Sequence, residues 1–296
     1  MTVSVIVATY RRDNSLKAAL ESLAKQSYTD FEIVLVDDNG CEEWNERVSK
    51  IAAAFLGSFP DIPLRLIVNN PNQGSARARN IGIAEAKGEF VTFLDDDDIY
   101  LPEKLKNQLE YMLESGTDYS ITDLELFNEA DKLIDRRVRS YIKAYDSTSL
   151  LKYHFMYHIT GTDTMMFKKE YLNKIGGFDA IDVGDEFYLM KKAIEGGGKF
   201  GYLNCCDVKA YVHTGEAGLS GGQGKIDGEN RLYEFKKRYF SKIDRKTVKY
   251  IKMRHYAVLA FANIKMKKPI QIFKNGILSF SAQPIECCKL LITRKI

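Results

Sequence analysis

Phe90-Val91-Thr92-Phe93-Leu94-Asp95-Asp96-Asp97-Asp98-Ile99-Tyr100-Leu101-Pro102 carries the sharpest contrast in the chain: a short apolar run breaks off into four carboxylates, and a helix is expected to begin at Pro102. An apolar run of this length ending in a polar cluster reads as a buried strand. Four adjacent negative charges repel one another, and nothing in the surrounding pattern neutralises them. A hard divalent cation makes such a cluster tolerable, with protein oxygens on one side and phosphate oxygens on the other. The other reading is an acidic loop or an Asp-rich helix N-terminus.

Working outward, the same strand-then-polar pattern recurs upstream. Residues 3–8, 31–36 and 64–68 read as strands, and 13–24, 42–55 and 75–86 as helices, with Leu16, Ala19, Leu20 and Leu23 sharing one face of the first helix. Strands alternating with helices imply an α/β fold, a mostly parallel sheet with crossover helices. In such sheets ligands gather at the carboxyl ends of the strands. The polar groups sit at those ends: Thr9-Tyr10-Arg11-Arg12, Asp37-Asp38, residues 69–74 and residues 95–98. Beyond residue 115 the pattern is less regular. Residues 119–126 read as a strand, 147–157, 168–175 and 185–195 as helices, 213–228 as a Gly-rich loop, and helices dominate from residue 230.

Several motifs carry possible chemistry. Asn72-Gln73-Gly74-Ser75 opens a helix whose backbone N–H groups, with Arg77 or Arg79, suit a diphosphate; an ordinary capped helix with exposed arginines explains the stretch as well. Asp185 and Glu186 stand at a helix start. Capping accounts for one acid, while a second acid remote from the first cluster is what a metal-plus-base mechanism requires. His213, at a strand end, is a third metal ligand, a diphosphate contact or a structural histidine. His154 and His158 are four apart but lack the glutamate of a zinc motif, and packing explains them better. Gly196-x-Gly198-x-x-Gly201 matches a dinucleotide fingerprint only as a string, because it follows a helix and precedes a strand.

Composition narrows the setting. The chain has 296 residues, 45% hydrophobic and 28% charged, as in ordinary globular proteins. No signal-peptide pattern opens it and no apolar run is long enough to span a bilayer. Five cysteines without C-x-x-C spacing argue against a disulfide framework or zinc site and for a cytoplasmic setting. The net charge of +3 conceals a split: residues 245–296 hold twelve Lys/Arg against one acid, while the remainder holds 31 basic and 39 acidic residues. Residues 250–262 and 269–280 mix these cations with apolar side chains at helical intervals, as in helices that lie on an anionic membrane; helices packed on the core with lysines in water are the alternative. The acidic remainder argues against nucleic acid as a partner.

The ordered set of motifs resembles family 2 glycosyltransferases of the GT-A fold. It comprises residues 4–10, Val36-Asp37-Asp38, Asn72-x-Gly74, Ala78-Arg79-Asn80-x-Gly82, residues 93–98, Gly176-Gly177-Phe178-Asp179 and Asp185-Glu186. The resemblance implies a Rossmann-like donor half (1–115), an acceptor half (116–240) and a helical appendage (241–296). It implies an inverting, metal-dependent transfer of a sugar from a nucleoside-diphosphate sugar, by family habit a UDP-sugar, to a glycan or lipid-linked acceptor in envelope polysaccharide synthesis. Thr9, Tyr10, Arg12 and Asp38 would face the nucleotide, with Asn72, Gly74 and Arg79 toward the diphosphate. Asp95 or Asp96 would touch the ribose, and Asp95 and Asp97 match the D-x-D positions, Asp97 holding Mn2+ or Mg2+. The family's base is the second acid of a Glu-Asp pair; here the order is reversed, which favours Glu186 with Asp185 as the alternative. An ordinary, ionised glutamate suffices for that role. Gly161-Thr162-Asp163 and the loop after His213 would shape the acceptor side. A nucleotidyltransferase or a non-catalytic glycan-binding module are the competing classes.

Overall fold

The computed structural model describes residues 2–181, 184–212 and 222–293. It divides into two compact units, one of Met1–Leu150 with Ile159–Val212, the other of Leu151–His158 with His213–Ile296.

The first unit is built on a seven-stranded sheet. Its N-terminal part alternates β1 (Val3–Thr9), α1 (Asn14–Ala24), β2 (Phe31–Asp37), α2 (Glu42–Ser58), β3 (Leu64–Val68), α3 (Ser75–Glu85) and β4 (Phe90–Phe93). β1 pairs in parallel with both β2 and β4, and β2 in parallel with β3. Strands β1 and β2 are almost wholly buried, so their residues are apolar on both faces rather than alternating. α1 starts where the Asp13 side chain accepts from the Asn14 N–H, and it buries Leu16, Ala19, Leu20 and Leu23. Those side chains join Val5, Val7, Ile33 and Leu35 in the core. α3 lies close on β1 because Gly82 has no side chain; a Cβ there would stand 2.5 Å from Ile6.

Next come β5 (Ile99–Tyr100), α4 (Lys104–Ser115), β6 (Tyr119–Thr122), β7 (Leu124–Asn128), β8 (Leu133–Arg137) and α5 (Ser147–Tyr157). A 3-10 turn at Thr162–Thr164 leads into β9 (Met165–Lys168), α6 (Lys169–Lys174), α7 (Asp185–Glu195), β10 (Phe200–Leu203) and β11 (Val208–Val212). The large sheet runs β10-β6-β9-β4-β1-β2-β3, with β9 antiparallel to both its neighbours, and a small sheet runs β5-β11-β7-β8. The expected single strand over 119–126 is therefore two strands in different sheets. Buried Asp123 divides them: its carboxylate accepts from the Arg139 N–H and the Tyr202 hydroxyl, which turns the chain out of the first sheet. The glycines after α7 form the helix-to-strand turn expected of them, Gly197 lying at φ +74°.

The second unit is helical: α8 (Gly222–Lys237), α9 (Arg245–Lys265), α10 (Pro269–Ala282) and α11 (Pro284–Thr293). The loop expected over 213–228 is thus helical from Gly222. α9 is the hub, capped by Asp244, whose carboxylate accepts from the Thr247 N–H at 2.9 Å and hydroxyl at 2.8 Å. Met253 and Ala257 of α9 pack with Cys287 and Leu290 of α11. Among the described residues no helix is long and apolar enough to cross a membrane.

Candidate active site

The strand order reverses at β1, with β2 and β3 laid down on one side and β4 on the other. A crevice opens at such a switch point, at the carboxyl ends of the diverging strands. There Thr9, the last residue of β1, donates its hydroxyl to Asp96 Oδ2 at 2.7 Å, and the Tyr10 N–H reaches the same oxygen at 3.2 Å. Arg12 Nη2 pairs with Asp97 Oδ2 at 3.0 Å, and its Nε lies 4.0 Å from Asp96 Oδ1. The exposed Tyr10 ring lies under the Arg11 guanidinium, 5.1 Å away.

Arg79 joins this rim to a remote segment. From α3 its Nη2 donates to Asp95 Oδ1 at 2.7 Å and its Nη1 to Asp185 Oδ2 at 2.6 Å. Burial alone would lower the guanidinium pKa, but Asp95 and Asp185 raise it on balance, so the charge is fixed. The neighbouring residue holds the same two segments together: Asn80 donates to the Phe178 carbonyl and accepts the Phe178 N–H, each at 2.8 Å. Gly177 at φ +58° makes that clasp possible, since a Cβ there would stand 2.5 Å from Asn80 Oδ1. Phe178 also meets Phe93 edge-on, 5.0 Å between centroids. The Arg-Asn and Gly-Gly-Phe motifs are thus two halves of one joint. By contrast, Arg77 is exposed.

Beneath the rim lies a second pair of acids. Asp98 and Asp163 are buried and hydrogen-bond each other. The Tyr211 N–H donates to Asp98 at 2.8 Å, and Asp163 accepts the Asp95 N–H at 2.6 Å. One ligand oxygen each from Asp95, Asp98 and Asp163 lie within 4.8 Å of one another. Burial pushes Asp96 and Asp163 up to about 7, with neighbouring acids adding to the shift, and raises Asp95 and Asp98 as well. Behind them Lys104 is buried under the Tyr100 ring and lowered to about 8 by desolvation. A cluster of oxygen donors whose ionisation is suppressed by burial and mutual repulsion fits a hard cation, which relieves both. The sequence places Asp163 only on the acceptor side, whereas the structure sets it against Asp95 and Asp98. Nothing in its local sequence marks it, since the fold alone carries the turn before β9 to the end of β4.

Glu186 follows Asp185 in the first turn of α7. Burial, then the Asp185 charge, push it up to about 8, so it departs from the ordinary glutamate expected there. Asp185 commits Oδ2 to Arg79 and Oδ1 to the Glu186 N–H at 2.9 Å. Asp38 is more internal than expected of a nucleotide contact. Its carboxylate accepts from the side chains of Asn69 and Asn72 and from the N–H groups of Gln73 and Gly74, all within 2.9 Å. These bonds fold the turn into α3, where Gly74 takes φ +85°. His213 lies outside the described residues.

Sequence and structure comparisons agree with this geometry. The family model "Glycosyl transferase family 2" matches residues 4–176, more than half of the chain. Among curated proteins, the chain is 30% identical over 126 residues to the Escherichia coli UDP-Glc:alpha-D-GlcNAc-diphosphoundecaprenol beta-1,3-glucosyltransferase WfgD, covering 43% of this chain and 47% of that protein. It spans 61% and 21% of two other curated relatives, both uncharacterised glycosyltransferases. Among solved structures, S. aureus TarS 1-349 in complex with UDP-GlcNAc superposes with a TM-score of 0.61 at 19% identity, covering 96% of this chain and 92% of that one. The mannosyltransferase PcManGT from Pyrobaculum calidifontis, in complex with GDP-Man and Mn2+, gives 0.62 at 19% identity, covering 98% and 78%. These likenesses establish the GT-A-like α/β fold. With its rim of acids at the β1/β4 switch point and its motifs in the expected order, the chain belongs to glycosyl transferase family 2.

Proposed function

We propose that the chain is an inverting glycosyltransferase that moves a sugar from a nucleoside-diphosphate sugar, UDP-linked by preference, to a hydroxyl of a glycan or lipid-linked acceptor during envelope polysaccharide synthesis. The observation that carries this reading is the Arg79 bridge, which sets Asp95 and the Asp185-Glu186 pair about one guanidinium apart. The UDP-Glc donor in the name of one relative and the UDP-GlcNAc and GDP-Man complexes of the structural neighbours support it. Residues 1–115 are taken as the donor half, residues 116–240 as the acceptor half, and the cytoplasm as the setting.

In this reading Thr9, Tyr10 and Arg12 border the nucleotide, and Asp38 acts by holding the turn at Asn72 and Gly74. Asp95 and Asp97 are the metal-holding pair, because they are less buried than Asp98 and Asp163 and can face a diphosphate. Mn2+ or Mg2+ held there would neutralise the departing nucleoside diphosphate as a Lewis acid. Asp98 and Asp163 back the pair from below. Glu186 accepts the proton of the acceptor hydroxyl while the acceptor oxygen bonds to the anomeric carbon from the face opposite the leaving group, and the bond from that carbon to the diphosphate oxygen breaks, releasing the nucleoside diphosphate. Both Asp185 oxygens are already engaged, which favours Glu186 as the base.

Glu186→Gln should keep donor affinity, measured by calorimetry with UDP-sugars and Mn2+, while lowering transfer by roughly a hundredfold or more. The wild-type kcat/KM should rise with pH toward a plateau above about 8, the value at which Glu186 ionises. Transfer that survives in Glu186→Gln and disappears in Asp185→Asn would move the base to Asp185. Absence of donor binding with every nucleotide sugar would remove the transferase reading.

A further inference from the structure

α10 carries most of its large apolar side chains on its exposed side. The residues it buries against α9 are polar: Asn275, and Ser279, whose hydroxyl donates to the Met253 carbonyl at 2.8 Å. Four of its six large apolar side chains face solvent, Ile270 80%, Phe273 73%, Ile277 52% and Phe280 51% exposed, while Ile272 and Leu278 are half-buried. Spacings of three and four residues place these four on one stripe along the helix. α11 packs by apolar side chains yet also leaves apolar residues outside. Cys287 and Leu290 face α9, while Ile285 at 72% and Ile292 at 82% face outward. Eight of the seventeen large apolar side chains exposed among the described residues fall within residues 264–292, so the exposure is a patch and not a scatter. A continuous apolar stripe of this kind marks an interaction surface.

The charge around the stripe identifies what covers it. Exposed Lys267, Lys268, Lys274 and Lys289 border the apolar residues, in a segment with twelve Lys/Arg and a single acid. A second copy laid on this face would bring like charges together. A water-soluble acidic partner would satisfy the lysines without requiring bulky Ile and Phe tips at half to four-fifths exposure. An anionic lipid surface meets both demands, taking the apolar stripe into the acyl boundary and the lysines against phosphate headgroups. We infer that α10 and α11 form an in-plane membrane-docking face, seated by Ile270, Phe273, Ile277, Phe280, Ile285 and Ile292 and selected for anionic lipid by the bordering lysines. This face is independent of the acids at the β1/β4 rim, and it stands whether or not the chain transfers sugar.

The test uses the full chain and vesicles of phosphatidylcholine with or without phosphatidylglycerol. Flotation should recover the protein with the anionic vesicles at low salt, less at high salt, and little with the neutral ones. Phe273→Gln with Ile277→Gln should lower partitioning by on the order of tenfold or more, with an unchanged circular dichroism spectrum because both side chains are exposed. Lys268→Glu with Lys274→Glu should remove the preference for phosphatidylglycerol. Phe273→Trp in a Trp44→Phe background gives a second readout, a blue-shifted emission on adding anionic vesicles. No flotation of the wild type, no blue shift, or partitioning unaffected by the glutamine pair would overturn the inference. So would a dimer in light scattering that the glutamine pair converts to monomer, since a second copy would then be the occupant.

Discussion

A guanidinium held between carboxylates from segments far apart in the chain, Asp95 and Asp185, has consequences that single contacts lack. Arg79 satisfies Asp95 and Asp185 with two short bonds, and among the described residues neither acid has another cation within a salt-bridge distance. Removing one member of a buried pair leaves the partners uncompensated, at a typical cost of 3–5 kcal/mol. Arg79→Met is therefore expected to lower the melting temperature by roughly 10 °C and to weaken donor binding, as Asp95 and Asp185 repel. Arg79→Lys should recover only part of both, because one ammonium cannot reproduce a two-pronged fork. Unchanged melting and donor affinity in Arg79→Met would show that the bridge has no such role. At this scale the run from Asp95 to Asp98 was plain in the sequence, because four adjacent charges need a reason. The residues alone left Arg79 and Arg77 as equal candidates in an ambiguous motif; the family resemblance pointed to Arg79, and the geometry gives it partners while Arg77 is exposed. Asp163 carried no local signal.

At the scale of elements, the turn from β3 into α3 depends on Asp38. Four donors converge on its carboxylate, two of them backbone N–H groups at the helix entry. Truncation would strand these buried or half-buried donors, each worth about 1–3 kcal/mol when left unpaired. Asp38→Ala should therefore lower the melting temperature by roughly 5–10 °C and speed hydrogen exchange at Gln73 and Gly74. Asp38→Asn should fall between, because its amide replaces one acceptor oxygen with a donor. A variant that lost donor affinity with no change in melting or exchange would make Asp38 a direct ligand instead. The strands and helices up to β4 were legible because doubly buried parallel strands read as unbroken apolar runs and their crossover helices as periodic ones. β9 was not, since four residues show no period and its antiparallel place between β4 and β6 is settled by pairing alone. Helical periodicity announced α10 but could not tell that its polar side would be the one to pack.

For the molecule as a whole, the acids impose a pH dependence that runs opposite to ordinary acid denaturation. Asp96 moves from an ordinary value of 3.8 to about 7, Glu186 from 4.5 to about 8, and Asp95, Asp98 and Asp163 shift the same way, all with burial as the leading cause. A group that holds its proton more tightly when folded stabilises the fold most below its unfolded pKa and loses that contribution as pH rises through its folded pKa. The sum of these groups should make the metal-free protein less stable between about pH 5 and about pH 8 as the pH rises. Lowered acids act in the other direction, but they lie at the surface, as Asp118 and Asp244 do, and their contribution disappears only near and below their ordinary range. A divalent cation binds the ionised acids and so opposes the loss, most strongly at the alkaline end. Melting temperatures measured across this range in EDTA should therefore fall with pH, and the gain from added Mn2+ or Mg2+ should widen with it. Asp95→Asn with Asp97→Asn should flatten the metal response. A melting temperature that climbs with pH in EDTA, together with no response to either ion, would mean that the acid cluster is not under electrostatic stress and does not need a cation.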